Sequence, residues 1–592
     1  MRPMRWGGAS VHVLLTVSAM AIAATLPACM PADSRPRITE LTGPDSVTRF
    51  DRFETTAAIS PEPTNPFDPA QIDVQGVFVD PAGRTWHSIG FWYQSYSRAL
   101  IDGREVLTPV GSPVWKVRFA PNATGQWTWW WTVTTPAGST QSEAHSLDVH
   151  LGTNPGFIRR TAADSRYLVH DDGSSFFAIG ENTGWYDQRG TFAYDSWYSR
   201  LAEQGANFSR LWMPSWAFGI EWNDTGLGDY RRRLDRAWQL DRVIEEGERR
   251  GIYTMLSLLN HGAFSRAFNS EWASNPYNAA NGGPLAAPGD QFTDATTKTL
   301  LKRRLRYVVA RWGYSTHVHS WELWNEADLA GRATAADSAV WHREMAGYLR
   351  SIDPARHLVT TSFAFSRSHP VWAEAGLDYT QVHNYSNIIP GAGIASNMAT
   401  WLPEQNRTYK RPVLFGEYGV DSRGPAETFA ADPTGIGFHD GLWAGALSSS
   451  FGTGMTWWWD NYIDVEPDRF YPMFGAVARF VDGIHWSRER LAPAPLTATS
   501  PSRPLFVTGM QGPELVVLWL KNDAHQWDHP DAGMVSDATV SLTLSAGSWC
   551  GAWWDTAMGI PGDLVQFTAG ATPVVLGAPP FSGDVALRAA RC

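Results

Sequence analysis

The sequence predicts a multidomain α/β protein in which a central (β/α)8 barrel lies between an N-terminal β-sandwich and a small C-terminal β-sandwich. The chain has 592 residues, which is enough for three or four domains of about 150 residues each. Short strand-like runs with Pro and Gly turns fill both ends of the chain. Between them, strand-like runs alternate with helical runs, which is the pattern of a parallel β/α fold.

The composition narrows the class of protein. Hydrophobic residues make up 43% of the chain and charged residues 18%, as is typical of a soluble globular protein. The net charge of -11 argues against nucleic acid or another polyanion as a partner. The 31 Trp residues are unusual. Most of them are expected in the core, but Trp faces also stack on sugar rings and the indole N–H bonds hydroxyl groups, so this composition favours a glycan-handling protein.

Residues 1–29 are predicted to form an export signal. Arg2 and Arg5 form a basic region, and residues 11–24 form an apolar stretch that is too short to span a membrane. The end of this segment, Leu26-Pro27-Ala28-Cys29, resembles a bacterial lipoprotein signal, in which the Cys is acylated. We therefore expect an exported bacterial protein that is periplasmic, anchored to the outer membrane or extracellular. Its one predicted membrane contact is a lipid anchor at Cys29.

After an expected linker at residues 30–44, residues 45–152 are predicted to form the N-terminal β-sandwich. Residues 72–79, 115–119 and 126–129 alternate apolar and polar side chains and are separated by turn residues. Strands of this length at this spacing are typical of an antiparallel sandwich.

Residues 153–490 are predicted to form the barrel. Helical periodicity appears at residues 234–248 and at residues 300–312, where Gly313 marks the end of a helix. Eight strands connected by helices are the number that a (β/α)8 barrel requires. The eight strand-like runs lie at residues 176–180, 207–212, 252–259, 320–324, 358–362, 379–383, 413–415 and 454–458.

Residues 491–592 return to strands and turns, and a second, smaller β-sandwich is the simplest interpretation. Its strand-like runs are residues 515–520, 539–544 and 574–576. Cys550 and Cys592 lie here, and Cys29 is the third cysteine of the chain. If Cys29 carries a lipid, the other two form an even pair in an oxidising compartment, where a disulfide would fasten the C-terminal tail. Two buried free thiols are the alternative.

Two carboxylates follow predicted barrel strands at the places where an active site is expected. The fourth strand ends in Trp324-Asn325-Glu326, and the seventh ends in Phe415-Gly416-Glu417. In such barrels the carboxyl ends of the strands meet at one mouth. Glycoside hydrolysis needs two carboxyl groups there, one to protonate the leaving oxygen and one to attack the anomeric carbon. We therefore predict Glu326 and Glu417 as the catalytic residues.

With these residues in place, the chain resembles the clan A retaining glycosidases, and glycoside hydrolase family 5 in particular. The family's acid/base Glu, preceded by Asn after strand 4, is matched by Asn325-Glu326, and its nucleophile after strand 7 is matched by Glu417. The domain order also resembles bacterial members of the clan that have a β-sandwich of unknown function before the barrel. Five further positions match in the same order: Arg210, His261, His383, Tyr385 and Trp459.

The resemblance implies a role for each matched polar residue. Arg210 would hold Glu417 ionised and lower its pKa. Tyr385 would orient Glu417 by donating its hydroxyl proton. Asn325 would bond the sugar 2-hydroxyl. His261 and His383 would bind substrate hydroxyls or position the carboxylates.

Two tryptophans are expected to contact the sugar. The resemblance makes Trp459 the stacking floor of the subsite beside the cleaved bond. Trp457 would share its face if the strand continues, because side chains two residues apart lie on one side of a strand. Trp458 would then pack outward against the helices.

The predicted activity is hydrolysis of a polysaccharide or oligosaccharide with retention, through a covalent glycosyl–enzyme intermediate. Retention requires the two carboxyl groups to lie about 5–5.5 Å apart, whereas about 6.5–9.5 Å would indicate inversion. Endo action on a β-linked polymer is the favoured mode. A transglycosylase using the same residues and a non-catalytic glycan-binding lipoprotein are the alternatives. Because no nucleotide or metal motif is present, no cofactor or metal is predicted.

Two features near the predicted site have two interpretations each. Glu181, in the loop after the first barrel strand, either contacts substrate or caps a turn. The long loop at residues 263–292 carries Trp272 and Tyr277, which line a distal subsite or hold the loop down through their own packing.

Overall fold

The computed structural model describes residues 35–331, 333–388 and 393–592. The predicted export signal and the predicted acylation site Cys29 lie outside these residues. Within the part of the chain that is described, no helix combines the length and the apolar character needed to cross a bilayer.

The first ten strands form two sheets that pack face to face. One sheet has the order β1-β3-β7-β6, and the other has the order β2-β10-β8-β4-β5, with β9 beside β8. Phe53 of the first sheet contacts Phe78 and Trp129 of the second, at 5.7 and 5.3 Å between ring centres. The strands are β1 Arg37–Thr42, β2 Ser46–Thr48, β3 Phe53–Ser60, β4 Asp73–Val79, β5 Thr85–Ile89, β6 Phe91–Ile101, β7 Arg104–Phe119, β8 Gly125–Thr135, β9 Gly138–Gln141 and β10 His145–His150.

The expected linker at residues 30–44 is wrong over its second half. Residues Arg37–Thr42 form β1, which pairs antiparallel with β3. The composition there is polar, but Ile38 and Leu41 are half-buried and pack against the apolar core. They are three residues apart, and an irregularity in the strand between Thr39 and Thr42 accommodates this spacing.

The central part of the chain alternates parallel strands with helices. Its strands are β11 Ile158–Arg160, β12 Leu168–His170, β13 Ser175–Phe176, β14 Gly180–Asn182, β15 Phe208–Trp212, β16 Tyr253–Ser257, β17 Val318–Glu322, β18 Leu358–Thr360, β19 Thr380–Tyr385 and β20 Val413–Gly419. Its helices are α1 Thr191–Glu203, α2 Leu234–Arg250, α3 Ala295–Trp312, α4 Ala335–Ile352, α5 Ile394–Tyr409, α6 Pro425–Ala431, α7 Ile436–Ala446, α8 Pro467–Val481 and α9 Trp486–Glu489. The two predicted helices are confirmed as α2 and α3.

Seven parallel strands form the frame of this part. Strands β14 to β18 pair in chain order, and β19 pairs with β20. The first parallel strand starts at Gly180, four residues later than predicted, because Phe176 belongs to a small antiparallel sheet with β12. Gly180 lies so close to β15 that an added Cβ would stand 1.7 Å from the carbonyl oxygen of Phe208. Only glycine allows this approach of two strands.

The predicted eighth strand, at residues 454–458, is present only as separate bridges. Thr456 forms parallel bridges with Glu181 of β14 and with Tyr418 of β20. Regular strand pairing stops there because Trp458 has a left-handed backbone (φ 71°) and a π-helical turn, Trp459–Ile463, follows directly. Thr456 therefore lies between the first and seventh parallel strands without belonging to an extended strand.

A buried ionic cluster joins the N-terminal sheets to the helices of the central part. Arg118 of β7 and Arg311 of α3 both donate to Asp241 of α2, at 2.9 and 2.6 Å. Burial alone would raise the pKa of Asp241, but the two guanidinium groups bring it down to about 2. Since breaking a buried ion cluster leaves uncompensated charge, the N-terminal sheets support the central part structurally.

The last strands form a six-stranded sheet, β21-β23-β24-β29-β26-β27, and a three-stranded sheet, β22-β25-β28, with a separate apolar core. Cys550 and Cys592 are joined in a disulfide, as the first of the two interpretations predicted. The strands are β21 Ala492–Pro493, β22 Thr497–Thr499, β23 Leu505–Gln511, β24 Leu515–Asn522, β25 Thr539–Leu542, β26 Gly547–Asp555, β27 Ile560–Ala569, β28 Val574–Gly577 and β29 Asp584–Arg591.

Candidate active site

A cavity of about 560 Å³ opens at the carboxyl ends of the parallel strands. Both predicted catalytic residues, Glu326 and Glu417, lie in its wall. Four more of the predicted site residues line it as well, namely His261, His383, Tyr385 and Trp457. Residues that are far apart in the sequence, and that were predicted from strand ends and from the family resemblance, are therefore brought together.

Glu326 lies in the loop directly after β17 with an unusual backbone. Its φ is 53°, in the left-handed region, and its backbone N–H donates to the hydroxyl of Ser362 at 3.0 Å. Nδ1 of His383 lies 3.0 Å from one carboxyl oxygen, and Nδ1 of His261 lies 3.4 Å from the other. A left-handed glutamate is held against its own preference, as is common at functional sites.

Glu417 lies in β20 and is held by two strong donors. The hydroxyl of Tyr385 donates to Oε1 at 2.5 Å, and Nη1 of Arg210 donates to Oε2 at 3.0 Å. One oxygen of Glu417, one oxygen of Glu326 and one nitrogen of His383 all lie within 4.8 Å of one another. The nearest oxygens of the two carboxyl groups are therefore close enough for the short carboxyl separation of retaining enzymes.

Arg210 is the centre of the buried polar network. Its guanidinium group donates to both oxygens of Glu322, at 2.8 and 2.9 Å, and to the side-chain oxygens of Asn182 and Asn325, at 3.0 and 2.6 Å. With Glu417 it thus has four side-chain partners, and its own side chain is fully buried. Glu322 was not predicted, although a carboxylate between Trp321 and Leu323, four residues before Glu326, was a usable signal.

Replacement of Arg210 with Ala should lower the free energy of unfolding by about 3–5 kcal/mol, because Glu322 and Glu417 would remain buried without a counter-charge. The loss should be smaller at pH 5 than at pH 7, because burial raises the pKa of Glu417 and lower pH helps this carboxyl group to take up a proton. Urea unfolding followed by Trp fluorescence at both pH values measures it. Arg210→Lys is the matched variant, because it keeps the charge but loses the two-pronged bond to Glu322. Equal stability of Arg210→Ala and the native protein would contradict this account.

Asn325 lies behind the cavity wall and does not line the cavity. Its side chain is fully buried, accepts from Arg210, and donates to Nδ1 of His261 at 3.0 Å. It therefore links the arginine to one of the two histidines beside Glu326. A bond from Asn325 to a sugar hydroxyl stays a prediction.

Burial raises the pKa of both carboxyl groups. Arg210 does lower the pKa of Glu417, as do His383 and Tyr385, but burial and the nearby Glu326 outweigh these effects, so the net pKa lies above its usual value. Two carboxyl groups this close share a proton. Since Glu417 has the two strong donors and Glu326 has Asp328 nearby, which raises its pKa further, we place that proton on Glu326.

Both histidines beside Glu326 are uncharged at neutral pH. Burial lowers the pKa of His383 to about 4, despite the opposite effect of Glu417. Burial also lowers the pKa of His261, against the attraction of Glu326. Neutral imidazoles leave Glu326 without a strong positive neighbour on its own side, which favours its protonated form.

The tryptophans after the last predicted strand are arranged differently from the prediction. Trp457 and Trp458 line the cavity, whereas Trp459 is buried between Trp185, Trp197 and Trp457 and is not in the cavity wall. The expectations that Trp459 forms the stacking floor and that Trp458 points outward are therefore corrected. The cause is the left-handed backbone at Trp458, which ends the two-residue alternation on which those expectations rested.

Three further tryptophans line the cavity and were not predicted: Trp185, Trp212 and Trp216. Trp212 follows Arg210 by two residues in β15 and packs 4.9 Å from Trp457. Trp185 packs against both Trp212 and Trp216. The alternation along β15 places Trp212 on the same face as Arg210, so the position of Trp212 in the cavity could have been predicted from the sequence.

Of the two open interpretations for the long loop, the structure supports internal packing. Trp272 and Tyr277 are buried, and neither lines the cavity. Tyr277 donates its hydroxyl to Glu221 at 2.6 Å. Instead, Phe268 and Asn269 of the same loop reach the cavity.

Glu181 is fully buried and takes no part in the cavity. Neither of its carboxyl oxygens forms a well-aligned hydrogen bond among the residues that the structure describes, and the nearby hydroxyl of Tyr471 offsets only a small part of the effect of burial on its pKa. Burial raises its pKa well above the usual range, and Asp464 and Asp460 add to this rise. Glu181 is therefore protonated in the folded chain, and neither substrate contact nor turn capping describes its position.

Replacing Glu181 with Gln should stabilise the protein increasingly as the pH rises. The folded-state pKa is raised, so the unfolded carboxyl loses its proton first, and native stability falls by about 1.4 kcal/mol per pH unit between the two pKa values. A neutral amide of the same shape does not titrate, so the Gln variant lacks this pH-dependent loss of stability. Melting temperatures of both proteins from pH 4 to pH 8 measure it, and a constant difference across that range would contradict it.

The group Glu326, His383 and Glu417 is the one cluster of metal-type ligands close enough to share an ion among the described residues. The guanidinium group of Arg210, 3.0 Å from Glu417, opposes a cation there by charge repulsion. The same donors suit a carboxylate that must stay available for attack.

Comparisons with known proteins agree with this geometry. Residues 46–134 match a family described as a domain of unknown function, DUF5060. Mannan endo-1,4-beta-mannosidase 4 of Solanum lycopersicum is 26% identical over 302 residues, which cover 44% of this chain and 72% of that protein. Mannan endo-1,4-beta-mannosidase 3 of Oryza sativa subsp. japonica is 25% identical over 299 residues, covering 43% and 62%.

The same fold is found in a solved structure from Bacteroides vulgatus ATCC 8482, which is described as a glycoside hydrolase. It superposes with a TM-score of 0.60 at 16% identity and covers 93% of this chain and all of that one. The multidomain architecture is thereby confirmed. The relatives confirm the predicted resemblance to the clan A glycoside hydrolases and the predicted enzyme class, an O-glycosyl hydrolase.

Proposed function

We propose that this chain is a retaining, endo-acting glycoside hydrolase that cleaves β-1,4-linked mannan. The observation that carries the proposal is the approach of Glu326 and Glu417 to within 4.8 Å at the carboxyl ends of β17 and β20. That spacing suits a direct attack on the anomeric carbon by one carboxylate while the other protonates the leaving oxygen.

In the first step Glu417 attacks the anomeric carbon, and Glu326 donates its proton to the departing sugar. Arg210 and Tyr385 position Glu417, and they hold its negative charge until the bond to the sugar forms. That bond removes the charge, so Glu326, now ionised, is free to take a proton from water. The water attacks the intermediate, and the product leaves with the configuration of the substrate.

We infer that the parallel strands close into a (β/α)8 barrel. The bridges from Thr456 to both Glu181 and Tyr418 support closure on one side. On the other side, the backbone N–H of Asp378, just before β19, donates to the carbonyl of Val359 in β18 at 2.7 Å. We also propose the domain limits 45–152, 153–490 and 491–592, with β1 added to the first domain.

Endo action is supported by the shape and rim of the cavity. Four large apolar side chains in its wall are between 43% and 58% exposed: Trp216, Phe268, Phe365 and Ile388. The first two follow β15 and β16, the last two follow β18 and β19, and Glu326 follows β17 between them. Exposed apolar surface on both sides of the acid gives sugar units binding surfaces before and after the cleaved bond.

The substrate is proposed from the relatives, which are named for β-1,4-mannan. A purified mature protein should release oligosaccharides from mannan, galactomannan and glucomannan and do so less from xylan and cellulose. Reducing-sugar assays and product chromatography check this. Release of a mixture of lengths supports endo action, whereas a single short product from the start would contradict it. Transfer products longer than the starting oligosaccharide would favour the transglycosylase.

We also propose that the protein is exported and anchored at Cys29. The disulfide between Cys550 and Cys592 supports an oxidising compartment. Labelling of cells with a palmitate analogue, with Cys29→Ala as the control, tests the anchor. Label on both proteins alike would contradict it.

A further inference from the structure

A second cavity, of about 1060 Å³, lies between the helices of the central part and the C-terminal sheets. One wall comes from residues 434–440, at the start of α7, and from Met473 of α8, and the other comes from β26, β27 and residues 577–585. Its lining shares no residue with the catalytic cavity. Helix α7 follows β20, so its first turn lies at the same edge of the strands as the catalytic carboxyl groups.

Two buried ion pairs stand beside this cavity. Nζ of Lys521 lies 2.5 Å from Oδ2 of Asp440, and Nε2 of His439 lies 3.0 Å from Oδ1 of Asp584. Both pairs join α7 to the C-terminal sheet, so they fasten the two parts together. Within each pair the positive and negative charges cancel. The polar side of the cavity is therefore rich in hydrogen-bonding groups but close to neutral in charge.

One group in the lining, Asp440, has a hydrogen-bond acceptor that the ion pairs do not use. Asp440 is only 2% exposed, and its second carboxyl oxygen, Oδ1, has no partner within the described ranges. Buried acceptors of this kind are rare in folded proteins and call for an explanation. His525, half-buried in the same lining, adds an imidazole.

The opposite side of the cavity is apolar and partly open to solvent. Met534 is 66% exposed and Ile560 is 50% exposed. The half-buried Trp554 lies beside them and packs edge-on against Phe480 of α8, 5.3 Å away. An aromatic and aliphatic wall facing a row of neutralised polar groups matches the two sides of a sugar ring, with its C–H faces and its hydroxyl edge.

We propose that this cavity is a second saccharide-binding site, in which Asp440, His439 and His525 bond sugar hydroxyls while Trp554 and Ile560 contact the ring faces. The pairing of Lys521 with Asp440 and of His439 with Asp584 favours a neutral sugar over an anion or a metal cation. The site would hold a distant part of a polymer while another part is cleaved. The choice of a mannan oligosaccharide as the first probe rests on the proposed function, whereas the second site itself does not.

The test uses the full chain with Glu417→Ala, so that the probe is not consumed, and isothermal titration with mannohexaose, cellohexaose and xylohexaose. We expect two binding events per chain for at least one probe. Adding His525→Ala should weaken one of them about tenfold, as expected for a lost hydrogen bond to a ligand, and leave the other unchanged. Ile560→Ser, at an exposed position, should weaken the same event without affecting folding.

His529→Ala is the matched control, because His529 is exposed, four residues away, and outside the cavity lining. One event in all proteins, or two events that His525→Ala and Ile560→Ser leave unchanged, would overturn the proposal. Absence of any binding would overturn it too. The release of oligosaccharides by the native chain reports separately on the proposed function, so the two failures are distinguishable.

Discussion

Replacement of Glu417 with Ala should reduce hydrolysis by a factor on the order of 10⁵, which is the scale seen when an enzyme loses its nucleophile. Glu417 is held in place by Arg210 and Tyr385, with one of its oxygens within 4.8 Å of an oxygen of Glu326. Without it, no covalent intermediate forms, and water has no base on the correct face of the sugar. The rate of oligosaccharide release from mannan measures the loss.

The same variant should regain activity with a small anion. Removal of the carboxylate leaves space beside the anomeric carbon and leaves Arg210 with an unused donor, so azide can enter and attack directly. One displacement replaces two, and the glycosyl azide should have the configuration opposite to that of the substrate. An activated aryl mannoside and proton NMR of the product reveal the configuration.

Glu427→Ala is the matched control for this experiment. Glu427 follows the same strand, in α6, but it is exposed and does not line the cavity. It should retain native activity. Residual hydrolysis by Glu417→Ala that matches this control would show that Glu417 is not the nucleophile.

The catalytic pair could be predicted from the sequence because one simple rule determines its place. Parallel strands bring their carboxyl ends to one edge. Predicting Glu326 and Glu417 therefore required only the positions of the fourth and seventh strands, and the predicted strand ends agree with the structure to within a few residues. His261, His383 and Tyr385 were found by the same rule together with the family resemblance. Each of these three residues lines the cavity.

What could not be predicted depends on backbone conformations that leave no periodic signal. The left-handed residue Trp458 ends the strand and moves Trp459 from the cavity into the core. Loop residues such as Trp216 and Phe365 reach the cavity through turns whose direction the sequence does not state. Glu322 was missed for another reason: the rule looks past the end of a strand, whereas this residue is the last one within β17.

The net pKa of Glu417 also lay beyond sequence reasoning. Its partners Arg210 and Tyr385 were both anticipated, but the balance between their effect and complete burial depends on packing in three dimensions. The positions of charged neighbours can be inferred from strand order, whereas the amount of water excluded around them cannot.

Replacement of Glu326 with Ala should have an effect that depends on the leaving group. Hydrolysis of mannan, whose leaving sugar needs a proton, should fall by about 10²–10⁴-fold. For an aryl mannoside with an acidic leaving group, the first step should be nearly unaffected, while the second step slows because the base is missing. A rapid release of phenol followed by slow turnover is the expected time course.

The pH profile gives a second, independent sign of the same role. Burial raises the pKa of Glu326, so the native protein should keep the required proton up to that pKa and lose activity as the pH rises through it. In Glu326→Ala this basic limb should disappear from kcat/KM for the aryl substrate. A limb that remains unchanged would assign it to another group.

Azide separates the two glutamates by the product that it gives. In Glu326→Ala the covalent intermediate on Glu417 still forms, and azide attacks it from the face that water would use, without needing a base. The glycosyl azide should therefore keep the configuration of the substrate, opposite to the product of Glu417→Ala. Two variants at carboxyl groups within 4.8 Å of each other would then yield opposite anomers from one reagent. The same anomer from both variants would show that the roles of the two residues, or the retaining mechanism itself, have been wrongly assigned.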